Sequence, residues 1–311
     1  MVSAVVVGDP GSGLTTFVGL LYTAQVRLGT ETEDRFRFSA DRETIRQLES
    51  IYGELGSGRF PVRDVSWEEH PLTFLLAFRR GSLVGLGGHR GSDGDFDVVR
   101  MRVGGISPHE AAEIRSHEAV WDAPLRRLLR SQVPLLLLDA SRWPAEAERP
   151  VPGLLETYDR NLARTLELLG RSLAAERGRR VRRMHPVFVV TKLDRCPPET
   201  RAFLAMPFGP SATWSDGDRN ALGNRVLARY FPETARFLSG DPPIPSLTIE
   251  APRWFFSSLA VDQNGNGGAR IRRRERTPLG GWEPEYSFEE YRALLEHVAG
   301  LARRLPSPPE P

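Results

Sequence analysis

The sequence predicts a three-layer α/β fold whose sheet is mostly parallel, with one antiparallel hairpin strand. The chain opens on a short β-branched run, Val2 to Val7, which breaks into a glycine-rich loop and then into a helical pattern. Two later runs, Val133 to Leu138 and the segment HPVFVVTKLD, are apolar without alternation, as in parallel strands covered on both faces. Strand and helix patterns alternate along the chain, which is the order of a parallel sheet with helices on both sides.

The first half of the chain predicts helices around a hairpin. One helix follows the glycine loop as TTFVGLLYTAQVRLG, and a second is expected from Asp41 to Leu55, where apolar residues recur every three or four positions. The stretches PLTFLLAFRRG and FDVVRMRVGG are strand-like, and the turn-rich GLGGHRGSDGD between them indicates an antiparallel pair. A charged helix is expected between Pro108 and Leu129.

The second half continues the alternation. Helices are expected from Leu155 to Leu173, around Arg219 to Tyr230, and after Ser287, while APRWFFSSLA supplies the last strand. Ser287 and Glu290 have the spacing of a capping box, which predicts the start of the final helix.

The element order contains no internal repeat and no interdomain linker. It predicts one elaborated domain over residues 1–304, with insertions at about 33–66, 197–245 and 261–286. The proline-rich tail 305–311 is expected to be disordered.

Composition excludes several classes of protein. The 42 basic and 40 acidic residues give a formal charge of only +2, which does not support a nucleic-acid partner. A single cysteine, Cys196, excludes an intrachain disulfide and a cysteine-based zinc site, and fits a reducing compartment. The start MVSAVVVGDP has the pattern of neither a secretory signal nor a myristoylation site, and no run is long enough to cross a membrane. A cytoplasmic protein is expected.

The segment GDPGSGLT matches the P-loop pattern of two glycines five apart followed by Ser or Thr, except that Leu14 stands at the lysine position. Such a loop can hold phosphate with its backbone N–H groups and the helix N-terminus, whereas a leucine puts no cation on the β and γ phosphates. Thr15 stands at the Mg²⁺-ligand position. A plain strand-to-helix turn is the alternative interpretation. The predicted phosphate-binding residues are Gly8, Asp9, Pro10, Gly11, Ser12, Gly13, Leu14, Thr15 and Thr16.

Two strand ends carry a resemblance to a family. The later apolar strand ends in Thr191-Lys192-Leu193-Asp194, which resembles the guanine-specificity motif NKxD of Ras-like GTPases, with threonine in place of asparagine. The last strand ends in Ser257, Ser258 and Leu259, which resembles the SAK-type motif whose backbone contacts the guanine carbonyl.

The resemblance implies a role for each residue of TKLD. Asp194 would accept hydrogen bonds from guanine N1 and N2, a bidentate charge-assisted pair that adenine cannot make. Lys192 would pack its stem along the base. Thr191 would tie this loop to the glycine loop less firmly than asparagine does. A surface loop that happens to read TKLD is the alternative interpretation.

As an element order, the resemblance covers nearly the whole chain. It implies the P-loop NTPase fold, GTP or GDP as ligand with Mg²⁺ at Thr15, and a protein partner, with another GTPase among the candidates. More narrowly, the segment ending GSGRFP, with its inserted helix, resembles the bacterial double-GTPase group, in which a helix and a G-x-W/F-P turn precede the switch.

Three departures from the family pattern gather at the phosphate end. Besides Leu14, the first switch continues as Val62-Arg63-Asp64 without a threonine, and the DxxG position reads RVGG, where Gly104 or Gly105 survives without the aspartate. Losing these groups predicts nucleotide binding with slow or absent hydrolysis. Two alternatives stay open: an active NTPase in which Arg63 or a partner's arginine replaces the lysine, and a nucleotide-free scaffold.

Two further signals have competing interpretations. Asp139 ends the strand LLLLD and could be the Walker B aspartate of an ATPase, although that assignment leaves TKLD unexplained. The basic run Arg270 to Arg276 is interspersed with other residues, which favours a solvated loop over a lipid or nucleic-acid site.

Overall fold

The computed structural model describes residues 2–31, 36–61, 72–79, 96–103, 130–144, 154–175, 182–204, 209–210, 212–241, 243–263, 269–275 and 281–305. The strands in these ranges are β1 (Val2–Val7), β2 (Phe36–Ala40), β3 (Leu72–Arg79), β4 (Phe96–Val103), β5 (Val133–Asp139), β6 (Arg182–Met184), β7 (Val187–Thr191), β8 (Leu247–Ile249), β9 (Arg253–Phe256), β10 (Val261–Gln263), β11 (Ala269–Ile271), β12 (Arg273–Glu275) and β13 (Trp282–Pro284).

The α-helices in the same ranges are α1 (Leu14–Glu31), α2 (Arg42–Gly56), α3 (Leu154–Ala174), α4 (Pro198–Leu204), α5 (Asp216–Tyr230), α6 (Pro232–Leu238) and α7 (Phe288–Arg304). Helices therefore form at the five predicted positions within the described residues, α1, α2, α3, α5 and α7. The helix expected between Pro108 and Leu129 lies outside the described residues. None of the described helices is long and apolar enough to cross a membrane.

A seven-stranded sheet in the order β2-β3-β4-β1-β5-β7-β9 forms the centre of this mixed α/β fold. β4, β1, β5, β7 and β9 pair in parallel, whereas β3 runs antiparallel to both of its neighbours. The predicted hairpin is confirmed as β3 and β4, with Phe74 opposite Met101. Strand β2 was not predicted, because its sequence FRFSA offers only a short alternation at the edge of the sheet.

The sheet is covered on both faces. In β5, Val133, Leu135 and Leu137 belong to a core shared with α1, α2 and α7. Leu136 and Leu138 point to the other side, into a second core shared with α3, α5 and α6. Because the side chains of a strand alternate between faces, a strand buried on both faces must be apolar throughout, which explains the unbroken run in the sequence.

The capping box predicted at the start of α7 is wrong. The Ser287 hydroxyl accepts a hydrogen bond from the backbone N–H of Ser258 at 3.0 Å instead of capping its own helix. The Glu290 carboxylate accepts from the backbone N–H of Phe256 at 2.9 Å and from the guanidinium of Arg219 at 2.7 Å. Both side chains are used to hold the end of β9, a role that the local spacing does not reveal.

The arginine-rich run forms strands β11 and β12 of two small ribbons rather than a loop, while Arg270, Arg272 and Arg274 are exposed to solvent as expected. Arg272 pairs with Asp262 at 2.7 Å, and Arg274 pairs with Glu283 at 2.6 Å. These carboxylates lie on the partner strands, so the pairing depends on a ribbon register that the sequence does not display. Arg276 lies outside the described residues.

Candidate functional site

The candidate site lies at the edge of the sheet where the parallel strands end. β1 runs into the glycine loop, β7 ends at Thr191, and β9 ends immediately before Ser257. Since neighbouring parallel strands present their carboxyl ends at one edge, the three predicted segments meet there although they are far apart in sequence. This edge is also the usual position of ligands in open α/β sheets.

One cavity of about 90 Å³ at this edge is lined by all three segments. The predicted residues among its lining are Gly13, Thr16, Thr191, Lys192, Asp194, Ser257 and Leu259. Sequence reasoning missed four others: Phe17, Leu20, Phe60 and Arg195. Phe17 and Leu20 belong to the buried face of α1, and the Arg195 guanidinium lies 5.4 Å from the centre of the Phe60 ring. The only sequence signal for Phe60 was its place in GSGRFP.

A hydroxyl group connects the TKLD segment to the glycine loop. Thr191 Oγ1 donates a hydrogen bond to the carbonyl of Ser12 at 2.7 Å and lies 3.2 Å from the carbonyl of Leu138. The hydroxyl carries one proton and serves one carbonyl at a time, so the shorter contact is the tie between the loops. The connection expected from the family resemblance is present; its weakness relative to asparagine stays a prediction.

Asp194 is held at the cavity by a tight turn. Lys192 adopts the left-handed conformation at φ 54°, and the following 3-10 turn, Leu193–Arg195, carries Asp194 against the lining. Burial raises the pKa of the Asp194 carboxyl above its usual range, although Arg195 and Lys192 oppose this shift. An N–H donor stabilises an ionised carboxylate that is partly removed from water, because the hydrogen bond replaces the lost hydration.

The segment after β9 is fixed by hydrogen bonds on both sides. The Ser257 backbone N–H donates to the carbonyl of Val190 at 2.7 Å, and the Ser257 hydroxyl lies 2.7 Å from the Tyr291 hydroxyl. Of the three residues predicted here, Ser257 and Leu259 line the cavity. The third, Ser258, is not part of the lining, and its backbone is held by α7 as described above.

Two glycines give the glycine loop a backbone conformation in the left-handed region. Gly11 and Gly13 have φ of 80° and 88°, values that residues with a side chain rarely adopt, and the Ser12 N–H donates to the carbonyl of Asp9 at 2.9 Å. Because α1 begins at Leu14, the N–H groups of its first turn have no acceptor within the helix. The loop therefore offers backbone donors and the positive end of a helix dipole.

The other predicted loop residues have different surroundings. Leu14 packs against the core on the α1 side of the sheet, while Thr15 and Thr16 are half-buried in the first turn of α1. Gly8 is buried at the end of β1, and Pro10 is exposed. Thr15 as an Mg²⁺ ligand stays a prediction. No three His, Cys, Asp or Glu side chains within the ranges given above could together hold a metal ion.

The switch residues at which the sequence departs from the family pattern lie outside the described residues. These residues are Val62 to Asp64, which include the candidate replacement cation Arg63, and Gly104 and Gly105. Their roles stay as the sequence predicts them.

Asp139 is the centre of a charged cluster beside the loop. One carboxylate oxygen accepts from the backbone N–H of Ser141 at 3.0 Å, and the other lies 2.7 Å from Lys192 Nζ and 3.3 Å from Arg142 Nε. The residue is 1% exposed. A buried carboxylate engaged on both oxygens is occupied by structural partners, which argues against the alternative assignment as a Walker B metal ligand.

Arg142 is the second cation of this cluster, and sequence reasoning missed it. Its Nη2 donates to the carbonyl of Pro10 at 2.7 Å, and its Nη1 lies 3.8 Å from a carboxylate oxygen of Asp9. The guanidinium carbon lies 5.8 Å from the centre of the Tyr158 ring. The available signal was the position of Arg142 three residues after the acidic end of a buried strand, which places a long cation at the same edge as the glycine loop.

Comparisons with known proteins add little to this geometry. No family model matches the sequence, and no curated protein does. A solved structure described as sup35 complexed with GDP aligns with 81% of this chain at 13% identity and a TM-score of 0.28. The chain spans 36% of that chain's length. At this level of likeness, the function has to be argued from the residues of the site.

Proposed function

We propose that this chain binds a guanine nucleotide in a G domain of the P-loop NTPase fold. The observation that carries the proposal is the meeting of three segments, the glycine loop, TKLD and the end of β9, around one cavity. The Thr191 hydroxyl bond to the Ser12 carbonyl couples the base-side segment to the phosphate-side segment at 2.7 Å. The contact is made by the residue to which the family resemblance assigns this connection.

In this proposal the base lies at the cavity and Asp194 selects guanine. The half-buried carboxylate of Asp194 would accept hydrogen bonds from guanine N1 and N2, which would offset its desolvation. Adenine has an acceptor at N1, so it cannot donate this pair of hydrogen bonds to the carboxylate. A site built for the two donors should therefore bind guanine much more tightly than adenine. Leu259 and Phe60 supply apolar surface on the cavity wall.

The phosphates would be held by the backbone N–H groups of the glycine loop and of the first turn of α1. Thr15 would be the residue that contacts Mg²⁺, which would supply charge neutralisation at the phosphates. Leu14 contributes no cation, and its side chain is committed to the core. We therefore propose slow or absent hydrolysis and a regulatory, pseudo-GTPase role exercised through a protein partner.

The test is a titration of the purified protein with GTP, GDP and ATP, with and without Mg²⁺, followed by phosphate release measured over hours. We expect GTP and GDP to bind in preference to ATP, with little phosphate released. Asp194→Ala should lose guanine-nucleotide binding, while Asp241→Ala, at an exposed aspartate far along the chain, should keep it. Binding of no nucleotide would leave the scaffold alternative, and preference for ATP would remove the role given to Asp194.

A further inference from the structure

We propose that Arg142 is the cation that binds the nucleotide phosphates in place of the lysine that the loop lacks. The inference rests on the proposed nucleotide binding and concerns the phosphate half of the same site. In P-loops the lysine reaches the β and γ phosphates from within the loop, and Leu14 cannot do so. Arg142 reaches the loop from the end of the neighbouring strand β5.

The position of the guanidinium carries the argument. Its Nη2 is 2.7 Å from the Pro10 carbonyl, and a Cβ built on Gly11 would be 3.5 Å from the same nitrogen. Pro10 and Gly11 are the exposed residues at the tip of the loop. The cation of Arg142 therefore lies beside the exposed tip of the loop.

The Arg142 side chain is held in place by its neighbours and keeps N–H donors that could bind a phosphate. The 3-10 turn Ala140–Arg142 is capped by the Asp139 carboxylate, and the guanidinium lies near the Tyr158 ring, so its position is restrained before a ligand arrives. A guanidinium has five N–H donors, of which the Pro10 carbonyl uses one and Asp139 faces another. The side chain is 41% exposed, which leaves donors free for a planar, two-point contact with phosphate.

Lys192 is the competing cation, and its surroundings make it less suitable. Lys192 Nζ lies 2.7 Å from Asp139, closer than any nitrogen of Arg142 lies to a carboxylate. Asp139 thus pairs more closely with Lys192 than with Arg142, and the Arg142 side chain is the more exposed of the two, at 41% against 26%. The Asp9 carboxylate lies 3.8 Å from Arg142, so a phosphate bound by this guanidinium would share it with a loosely paired carboxylate.

The experiment compares GDP with guanosine on Arg142→Gln, a variant that retains an N–H donor for the Pro10 carbonyl but loses the charge. We expect GDP affinity to fall by about 10-fold or more, the size of a lost charge-assisted bond, while guanosine binding measured by ligand-observed NMR is unchanged. Arg160→Gln, which removes a half-exposed arginine on α3, is the matched control and should bind both ligands normally.

A second substitution tests replacement directly. Leu14→Lys should restore GDP affinity in the Arg142→Gln background and should raise it less in the otherwise unaltered protein, because the two cations would serve the same phosphates. Unchanged GDP affinity in Arg142→Gln, or an equal loss for guanosine, would overturn the role of Arg142. If the unaltered protein binds neither ligand, the proposed function fails instead, so the two failures are distinguishable.

Discussion

The two ends of the candidate site are built from different interactions. At the base end, Ser257 and Thr191 are fixed by hydrogen bonds between neutral groups, and Glu290 holds the last residue of β9 from within the core. At the phosphate end, the glycine loop is flanked by the ion pairs of Asp139, with a cation open to solvent. The base end is therefore held mainly by directed hydrogen bonds, whereas the phosphate end is held mainly by ion pairs.

Base recognition and phosphoryl transfer depend on these two kinds of interaction to different degrees. Hydrogen bonds of fixed direction discriminate between bases, because a wrong base leaves buried groups unpaired. Phosphoryl transfer instead requires positive charge placed where charge develops in the transition state. In this chain the loop cation is missing, and the nearby cations are partly neutralised by Asp139 and Asp9. The comparison agrees with the proposal that the site binds a nucleotide and hydrolyses it slowly or not at all.

The largest expected effect comes from breaking the support of the base end. Glu290 is 2% exposed and pairs with Arg219, which is 8% exposed, while also accepting from the Phe256 N–H. Glu290→Ala leaves a buried guanidinium and a backbone N–H without this acceptor, so unfolding free energy should fall by about 3–5 kcal/mol. Chemical denaturation measures the loss.

The neighbouring Glu289 provides the control for that experiment. It lies on the same helix turn, but its side chain is 41% exposed and pairs with the half-exposed Arg292, so Glu289→Ala should cost about 0.5 kcal/mol or less. Equal losses in the two variants would show that the buried pair does not support the base end more than a surface pair does.

Next in size is the effect of Asp194→Asn, which should act on binding and stability in opposite directions. Losing the charged acceptor should weaken GDP binding by about 10- to 100-fold, the range for hydrogen bonds to a charged group. Burial raises the folded-state pKa of Asp194 above its unfolded value, so at neutral pH the ionised carboxylate disfavours the folded state. The ligand-free variant should therefore melt slightly higher, on the order of 1–3 °C.

The pH dependence checks the same residue. The melting difference between the unaltered protein and Asp194→Asn should shrink as pH falls through the raised pKa, and should vanish below the ordinary value of 3.8, where both states are protonated. GDP affinity should fall over the same upper part of that range, because binding needs the ionised carboxylate. A ligand-free variant that melts lower at neutral pH would contradict this account of Asp194.

The sequence predicts the base end better than the phosphate end, for a physical reason. Thr191 is the last residue of β7, and Asp194 lies three residues later. The apolar strand pattern that locates β7 therefore also places both residues at the sheet edge. Arg142 and Asp139 lie beside the glycine loop only because β5 pairs with β1, and the sequence does not display this pairing between distant segments. Glu290 shows the same limit, since its capping-box spacing is local and its real partners are not.

The fold likewise contains strands that the sequence predicts and strands that it does not. Continuous apolar runs predict β5 and β7, because burial on both faces leaves no polar position in the strand. The edge strand β2 and the ribbons β10 to β13 are short and partly exposed, so their sequences carry polar residues that resemble loops. Their structure depends on cross-strand partners rather than on local pattern.

A smaller effect is expected from removing the bond between the two ends. Thr191→Val keeps the shape of the side chain and removes the hydroxyl that donates to the Ser12 carbonyl, so stability should fall by about 1 kcal/mol and GDP affinity by a few-fold. Thr165→Val removes a comparable bond to the Asn161 carbonyl within α3 and should cost similar stability without changing affinity. If both variants bind GDP alike, the Thr191 bond does not couple the two ends.

The smallest expected effect is a difference in salt dependence between GDP and guanosine. Arg142 is 41% exposed and lies at the loop tip, so salt should screen its attraction for phosphate. Raising the salt concentration from 0.05 to 0.5 M should weaken GDP binding by about two- to five-fold, because the screening length shortens from more than 10 Å to less than 8 Å. Guanosine has no phosphate and depends on the half-buried Asp194, so its affinity should stay constant. Parallel slopes for the two ligands would mean that the phosphate end does not work through exposed charge, and the contrast between the two ends would be lost.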